Sequence, residues 1–207
     1  ASISFQCRPR RACEKDNPLE TPLLTEADIR HRIGMELQRA TTDRHHEWRT
    51  PVLATVGADH APQARTVVLR QVDTPVSALQ IFTDRRSPKV AELAASPHAT
   101  LVFWSTRLSW QLRVRTRAAV QHSGPEVDAA WARISQSAAA GDYLSAHAPG
   151  AALTLATSKS TAGKDELPAH HLALITLQVL DMDWLELARS GHRRAVFSAE
   201  QWEWRGP

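Results

Sequence analysis

The sequence predicts a mainly β protein, a small antiparallel β-barrel with helices packed outside it. Three observations carry that expectation. About eight strand-like segments succeed one another at short intervals, only three or four helical patterns lie between them, and no regular strand–helix alternation accompanies them. A sheet with so many edges needs closure or cover, which a barrel supplies. A doubly wound parallel sheet is excluded on the same grounds, and neither a GxGxxG nor a GxxxxGKS/T run occurs.

Taken in order, residues 1–22 set Arg8, Arg10 and Arg11 among Pro9, Pro18 and Pro22 without an apolar period and read as a flexible N-terminal arm; residues 23–207 read as one domain. Thr25 is suited to cap a helix whose inner face is Ile29, Ile33, Leu37 and Ala40. Residues 52–72 read as a hairpin, with a turn at Gly57–His60 and a second strand running from Ala64 to Val72. Leu79–Thr83 is a third strand. Ser87-Pro88 then opens a helix through Val90, Ala91, Leu93 and Ala94, which Ser96-Pro97 ends.

Two more strands follow, at 100–105 and 109–120. In the second, Trp110, Leu112, Val114 and Thr116 share the core face by the period of two, and Gln111, Arg113, Arg115 and Arg117 share the other. Ser123-Gly124-Pro125-Glu126 has the spacing of a capping box before a helix with Val127, Ala130, Trp131 and Ile134. A small-residue stretch over 135–170 precedes strands at 172–180, 184–188, 194–197 and 202–204.

Composition narrows the function classes. The chain has 207 residues, 43% hydrophobic and 23% charged, enough for one sizeable core. No run approaches the ~20 apolar residues of a membrane helix, and residues 1–20 lack a secretory apolar core, so a cytoplasmic protein is expected. Cys7 and Cys13 are the only cysteines, which leaves neither a disulfide framework nor a four-cysteine metal site. The net charge is +3, and the arginines are spread along the chain, whereas a nucleic-acid binder concentrates them with interleaved aromatics on one surface, which argues against a nucleic-acid partner. The adjacent pairs His45-His46 and His170-His171 lack metal-ligand spacing and read as surface residues.

The chemistry is expected where cations converge. Arg65 and Arg70 lie five positions apart on one strand and therefore point to opposite faces unless a bulge intervenes. Thr83 ends the next strand, and Ser87-Pro88-Lys89 adds a hydroxyl, an ammonium group and free backbone N–H groups at a helix start, a ready anion site.

Four ordered blocks then acquire a joint meaning: RTVVLR at 65–70, IFTDRRSPKVAELAASP at 81–97, LVFWSTRLSWQLRVRTRA at 101–118, and WLELARSGHRRAVF at 184–197 with WEWRGP at the end. In order and spacing they resemble the pyridoxamine 5'-phosphate oxidase family. The resemblance implies a six-to-eight-stranded antiparallel split β-barrel with flanking helices, and a homodimer holding FMN at the subunit interface. It implies that Arg65 and Lys89, with Ser87, hold the FMN phosphate. Thr66, Val67, Val68, Leu69 and Arg70 would run beside the flavin, with Phe82 and Thr83 on the neighbouring strand. Gln111 would reach the isoalloxazine edge, and Trp184 and Arg194 would complete the site, the arginine near the N1/O2 end of the ring where reduced flavin carries negative charge.

For the substrate, the resemblance points to His192 and Arg70. The family's Arg-x-His pair reads Ser190-Gly191-His192 here, its substrate lysine reads Arg70, and the helix around Trp131 lacks a tyrosine and offers Arg133. Pro88 and His147-Ala148 also depart from the pattern of the vitamin enzyme. The expected function is that of a related flavoprotein, an FMN-dependent oxidoreductase acting on a small molecule. The alternative is a non-catalytic FMN- or haem-binding protein on the same scaffold, with His192 or His147 as haem ligands. A third reading, nucleic-acid binding through Arg8 to Lys15, rests on the N-terminal arm alone.

Overall fold

A computed structural model describes residues 24–152, 170–189 and 191–207. The arm of residues 1–22, residues 153–169 of the small-residue stretch and Ser190 lie outside the described residues.

The first helix, α1 (Glu26–Thr42), starts where its capping residue predicts. The Asp28 N–H donates to Thr25 Oγ1 at 3.2 Å, and the Thr25 N–H donates to Asp28 Oδ2 at 2.9 Å. Its buried stripe is Ile29, Ile33, Leu37 and Ala40, together with one charged residue, Glu36. Four strands follow, β1 (Val52–Val56), β2 (Pro62–Thr66), β3 (Leu69–Val72) and β4 (Ala78–Asp84), then helix α2 (Pro88–Ala95). After these come β5 (His98–Ser105), β6 (Trp110–Gln121), helix α3 (Pro125–Ile134), a 3-10 segment at Ala138–Tyr143, and β7 (Leu172–Glu186), β8 (Arg193–Phe197) and β9 (Trp202–Arg205).

The nine strands form one antiparallel sheet in the order β2-β1-β5-β6-β7-β4-β3, with β8 attached to β7 and β9 to β8. Strands β2 and β3 stand at the two ends of that path yet are joined by Val67-Val68 alone, so the sheet curls round to bring its edges together as a split barrel. Inside lie Leu53, Leu69, Ile81, Leu101, Phe103, Leu112, Val114 and Trp184. A smaller apolar cluster under α3 holds Val127, Ala130, Tyr143, Leu172 and Leu174, with Phe82 packed against it.

Three local expectations are corrected. The second strand of the hairpin is interrupted: its first part pairs with β1 and its second with β4, because the chain crosses from one sheet edge to the other at Val67-Val68. The strands read at 172–180 and 184–188 are one 15-residue strand. A register shift opposite Arg115/Thr116 leaves Leu180 without a partner, and that break in the alternation makes one strand read as two. The helix after residue 124 is not capped by Ser123. Gly124 occupies the cap position at φ 101°, a conformation that favours glycine, and no side chain caps the helix.

The reading of His46 as a surface residue is also overturned. Its ring is buried, with Nε2 2.8 Å from Glu36 Oε2, and its Nδ1 accepts the Trp48 N–H at 3.1 Å. Arg107 donates to the same Glu36 carboxylate at 2.7 Å, which ties α1 to the β5–β6 turn. Burial pushes the Glu36 pKa up, but the bonds from Arg107 and His46 outweigh it and hold the group below its ordinary value.

Candidate functional site

The first convergence of sequence-predicted residues lies where β4 runs into α2. Lys89 Nζ donates to Ser87 Oγ at 2.7 Å and to Thr83 Oγ1 at 3.0 Å, and both hydroxyl residues are buried. Ser87 is the cap residue of α2, yet its hydroxyl makes no capping bond and Pro88 occupies the first turn. The first N–H groups of the helix therefore have no side-chain cap, and the helix dipole adds positive potential there. Arg65 reaches the same end of the barrel from β2, donating to Glu92 Oε2 at 2.7 Å and to Thr55 Oγ1. Thr55 itself donates to Glu92 at 2.6 Å.

Two cations in so small a space affect each other. Burial pushes the Lys89 pKa down, and Arg65 pushes it further in the same direction, while Glu92 and Asp84 pull it back. No carboxylate among the described residues lies within ion-pair distance of Lys89. An ammonium group held only by hydroxyls, with an arginine and an uncapped helix start beside it, suits a doubly charged phosphate ester. Glu92 and Thr55 were missed by sequence reasoning, although Glu92 stands three residues after Lys89 on the same helix and so shares its face.

Thr66 ends β2 exposed, Val67 and Leu69 are buried, and Val68 is half-buried, so the backbone of 66–69 passes between the two sheet edges. Arg70 separates from Arg65, as their spacing predicts. Its guanidinium stands 5.7 Å from the Phe82 ring, and its Nε is buried without a partner. Arg70 also faces the hydroxyl of Tyr143, which burial pushes above the usual phenol pKa while the arginine pulls it down. Tyr143 comes from the 3-10 segment, not from the helix around Trp131 where a tyrosine was sought. The loop after that segment is fastened to the end of β4 by Arg86, which pairs with Asp84 at 2.7 Å and donates to the Ser145 carbonyl at 2.8 Å.

The second convergence is on the outer face of β6, β7 and β8. Gln111 pairs with Leu185 and Leu185 with Arg194, so these three side chains share that face. Arg194 Nε and Nη2 donate to the two carboxylate oxygens of Asp183 at 3.0 and 2.8 Å, and Arg113 donates to Asp183 from the opposite side. Burial raises the Asp183 pKa, but Arg194 and Arg113 outweigh it and hold the carboxyl below the usual aspartate range. Trp184 is not brought to this face. It is fully buried on the inner side of β7, edge-to-face with Trp110 at 5.2 Å between ring centroids. The alternation that turns Asp183 and Leu185 outward turns Trp184 inward. His192 is exposed in the turn before β8, next to Gly191 at φ 132°. His147, the other histidine of the haem reading, is exposed as well.

A curled antiparallel sheet with a cationic cradle at one helix start defines the class: a split barrel whose donor set suits a phosphate-bearing ligand. The comparisons with known proteins give the class its family. Residues 30–122 match the family described as "Pyridoxamine 5'-phosphate oxidase, FMN-binding domain". The chain is 32% identical over 200 residues to the pyridoxine/pyridoxamine 5'-phosphate oxidase of Azorhizobium caulinodans, covering 91% of this chain and 92% of that one. It is 47% identical over 77 residues to the enzyme of the same name from Thermosynechococcus vestitus, covering 37% of this chain and 35% of that one.

Among solved structures, a pyridoxamine 5'-phosphate oxidase-related, FMN-binding protein of Nostoc punctiforme superposes with a TM-score of 0.65 at 22% identity, covering 86% of this chain and 96% of that one. PhzG from Burkholderia lata, solved with tetrahydrophenazine-1-carboxylic acid, gives 0.62 at 16% identity over 84% of this chain and 89% of that one. These two likenesses speak for the fold. The chain belongs to the pyridoxamine 5'-phosphate oxidase family, a family whose cofactor is FMN.

Proposed function

We propose that this chain is an FMN-dependent oxidoreductase that works as a homodimer on a small amine or alcohol. The observation that carries the reading is the cradle, where Lys89 meets the Thr83 and Ser87 hydroxyls at the uncapped start of α2 and Arg65, held by Glu92 and Thr55, adds a second positive charge nearby. Its donor set fits the FMN phosphate in charge and in chemistry. FMN, when bound, supplies a ring that accepts a hydride equivalent, a capacity no amino-acid side chain has.

The chain's own residues bind and orient. Lys89 and Arg65 hold the phosphate, and the backbone of 66–69 lies along the flavin with Phe82 near it. Gln111, which both donates and accepts, meets the ring edge. Arg194 supplies a fixed positive charge at the N1/O2 end. Trp184 supports the strand from the inner side. Arg70 and Tyr143 bind an anionic group of the substrate, and His192 orients the substrate or carries a proton near neutral pH.

Support for the dimer comes from the outer face that bears Gln111 and Arg194. Val52 and Trp104 stand on it 37% and 46% exposed, and Leu180, the unpartnered residue of β7, is 44% exposed. Large exposed apolar residues gathered on one sheet face mark an association surface.

Titrating purified apoprotein with FMN tests the reading. Wild type is expected to bind and to take on the flavin spectrum, and Arg65→Ala to bind at least tenfold more weakly, with a lower apoprotein melting temperature because Glu92 loses its ion-pair partner. An absorption spectrum unchanged by FMN defeats the proposal, and a Soret band on adding haem favours the binding-protein alternative. Anaerobic bleaching of bound flavin by a panel of amines and alcohols then identifies the substrate class.

A further inference from the structure

We infer that Asp183 is a positioning residue that fixes the direction of Arg194, an inference that rests on the flavin reading above. Asp183 lies near the C-terminal end of β7, between β6 and β8, is 9% exposed, and lies beneath two arginines that are both more open to solvent. Arg194 does not pair with it across the register. Its Cα partner is Leu185, and the side chain reaches back along β7 to Asp183. That detour has a consequence for direction. The carboxylate takes Nε and Nη2 of Arg194 in a two-pronged bond, at 3.0 and 2.8 Å, which sets the plane of the guanidinium. Two of its five N–H hydrogens are used, and the other three point away from the carboxylate.

Arg113 makes the arrangement dependent on Asp183. It donates to Asp183 Oδ2, the same oxygen that accepts Nη2 of Arg194. With the carboxylate gone, two like charges face each other with nothing between them, and both side chains are free to swing out. The neighbouring row repeats the motif, with Asp181 under Arg115. Three arginines of the face, Arg113, Arg115 and Arg194, thus share two aspartates, and one positive charge among these five groups is left over. Asp183 decides where the Arg194 share of it points.

The sign of a redox shift separates a positioning role from a bare charge. A carboxylate acting only through its own field disfavours negative charge on the reduced ring, so its removal raises the flavin potential. A carboxylate acting by holding Arg194 gives the opposite result. The experiment is an equilibrium dye titration of the FMN-loaded protein for wild type, Asp183→Asn, Arg194→Gln and the double variant. Asp183→Asn is expected to lower the ratio of reduced to oxidised flavin about tenfold at fixed potential, about 30 mV for a two-electron couple. Arg194→Gln is expected to do the same, and the double variant to go no lower than either, the non-additivity of residues acting as one unit.

A raised or unchanged potential in Asp183→Asn, or additive shifts in the double variant, overturns the inference. If circular dichroism shows Asp183→Asn unfolded, Asp183→Glu is read instead. It keeps the charge but moves the oxygens outward by one methylene, so a lowered potential supports positioning and a wild-type potential refutes it. Absence of FMN binding in wild type defeats the flavin reading itself, whereas an unchanged potential in Arg194→Gln removes Arg194 from the ring and overturns this inference alone. Sensitivity to Arg194 without sensitivity to Asp183 defeats this inference alone.

Discussion

Lys89, at the start of α2, and Arg194, on the outer face of β8, are both cations assigned to one cofactor, and the fold treats them in opposite ways. Lys89 meets only neutral hydroxyls, is partly buried, and has its pKa pushed down by that burial and by Arg65. Arg194 shares a buried carboxylate with Arg113 and has its pKa pushed up by Asp183. The difference follows from what each would hold. A phosphate dianion brings its own charge, so a cradle for it keeps a cation unpaired in advance and bears the desolvation cost in the empty state. A ring edge brings only partial charge, so the cation that meets it must be aimed, and a carboxylate aims it.

The largest effect that breaks this comparison is expected from Lys89→Met, which keeps the length of the side chain and removes its charge. FMN affinity should fall roughly 10- to 150-fold, the range for a hydrogen bond to a charged group. The apoprotein should melt no lower than wild type, because a desolvated cation with no carboxylate partner is gone. A melting temperature that falls by several degrees would mean that the ammonium is structural, and the contrast with Arg194 would disappear.

How much of this was legible in the chain depends on the range of the interaction. The capping of α1 by Thr25, the inner face of β6 and the cluster Thr83, Ser87 and Lys89 are all set by residues within a few positions of one another, and their spacing predicts them. Leu180 hid the unity of β7, because one extra residue inverts the alternation that strand recognition depends on. Asp183 and Tyr143 were invisible for a different reason. Asp183 meets Arg113 and Tyr143 meets Arg70 only once distant segments are brought together, each pair being about 70 positions apart. The inward turn of Trp184 is implicit in the outward turn of Asp183 and Leu185 by the period of two, while its place at the flavin is what the family resemblance implies.

Stability as a function of pH sharpens the comparison with a medium effect at each end of the scale. The folded pKa of Asp183 lies below its ordinary 3.8, so its contribution is full above that value and is lost as pH falls through the folded pKa. Lys89 has the reverse sense. Its folded pKa lies below its ordinary 10.5, so between the two values the unfolded chain binds the extra proton and apoprotein stability rises with pH. Asp183→Asn is expected to flatten part of the acid limb only, and Lys89→Met part of the alkaline limb only, as read from denaturant midpoints across pH. FMN affinity of wild type should fall in the alkaline range as Lys89 loses its proton. A denaturant profile in which each variant alters both limbs would show that the two sites are not independent.

The smallest effect is expected from Ser87→Ala. The hydroxyl lost is one of two that hold Lys89, and the 3.0 Å contact to Thr83 remains. The net worth of one such bond corresponds to roughly a two- to tenfold loss of FMN affinity. An ordinary capping serine would cost about 1 kcal/mol of stability when replaced by alanine. Ser87 makes no capping bond, so the melting temperature of Ser87→Ala apoprotein is expected to stay close to wild type. The two readouts therefore divide the possible roles of this side chain. Weaker FMN binding at constant melting temperature assigns the hydroxyl to the lysine, whereas a lower melting temperature with unchanged FMN binding would return it to the helix and leave Thr83 as the only hydroxyl that matters to Lys89.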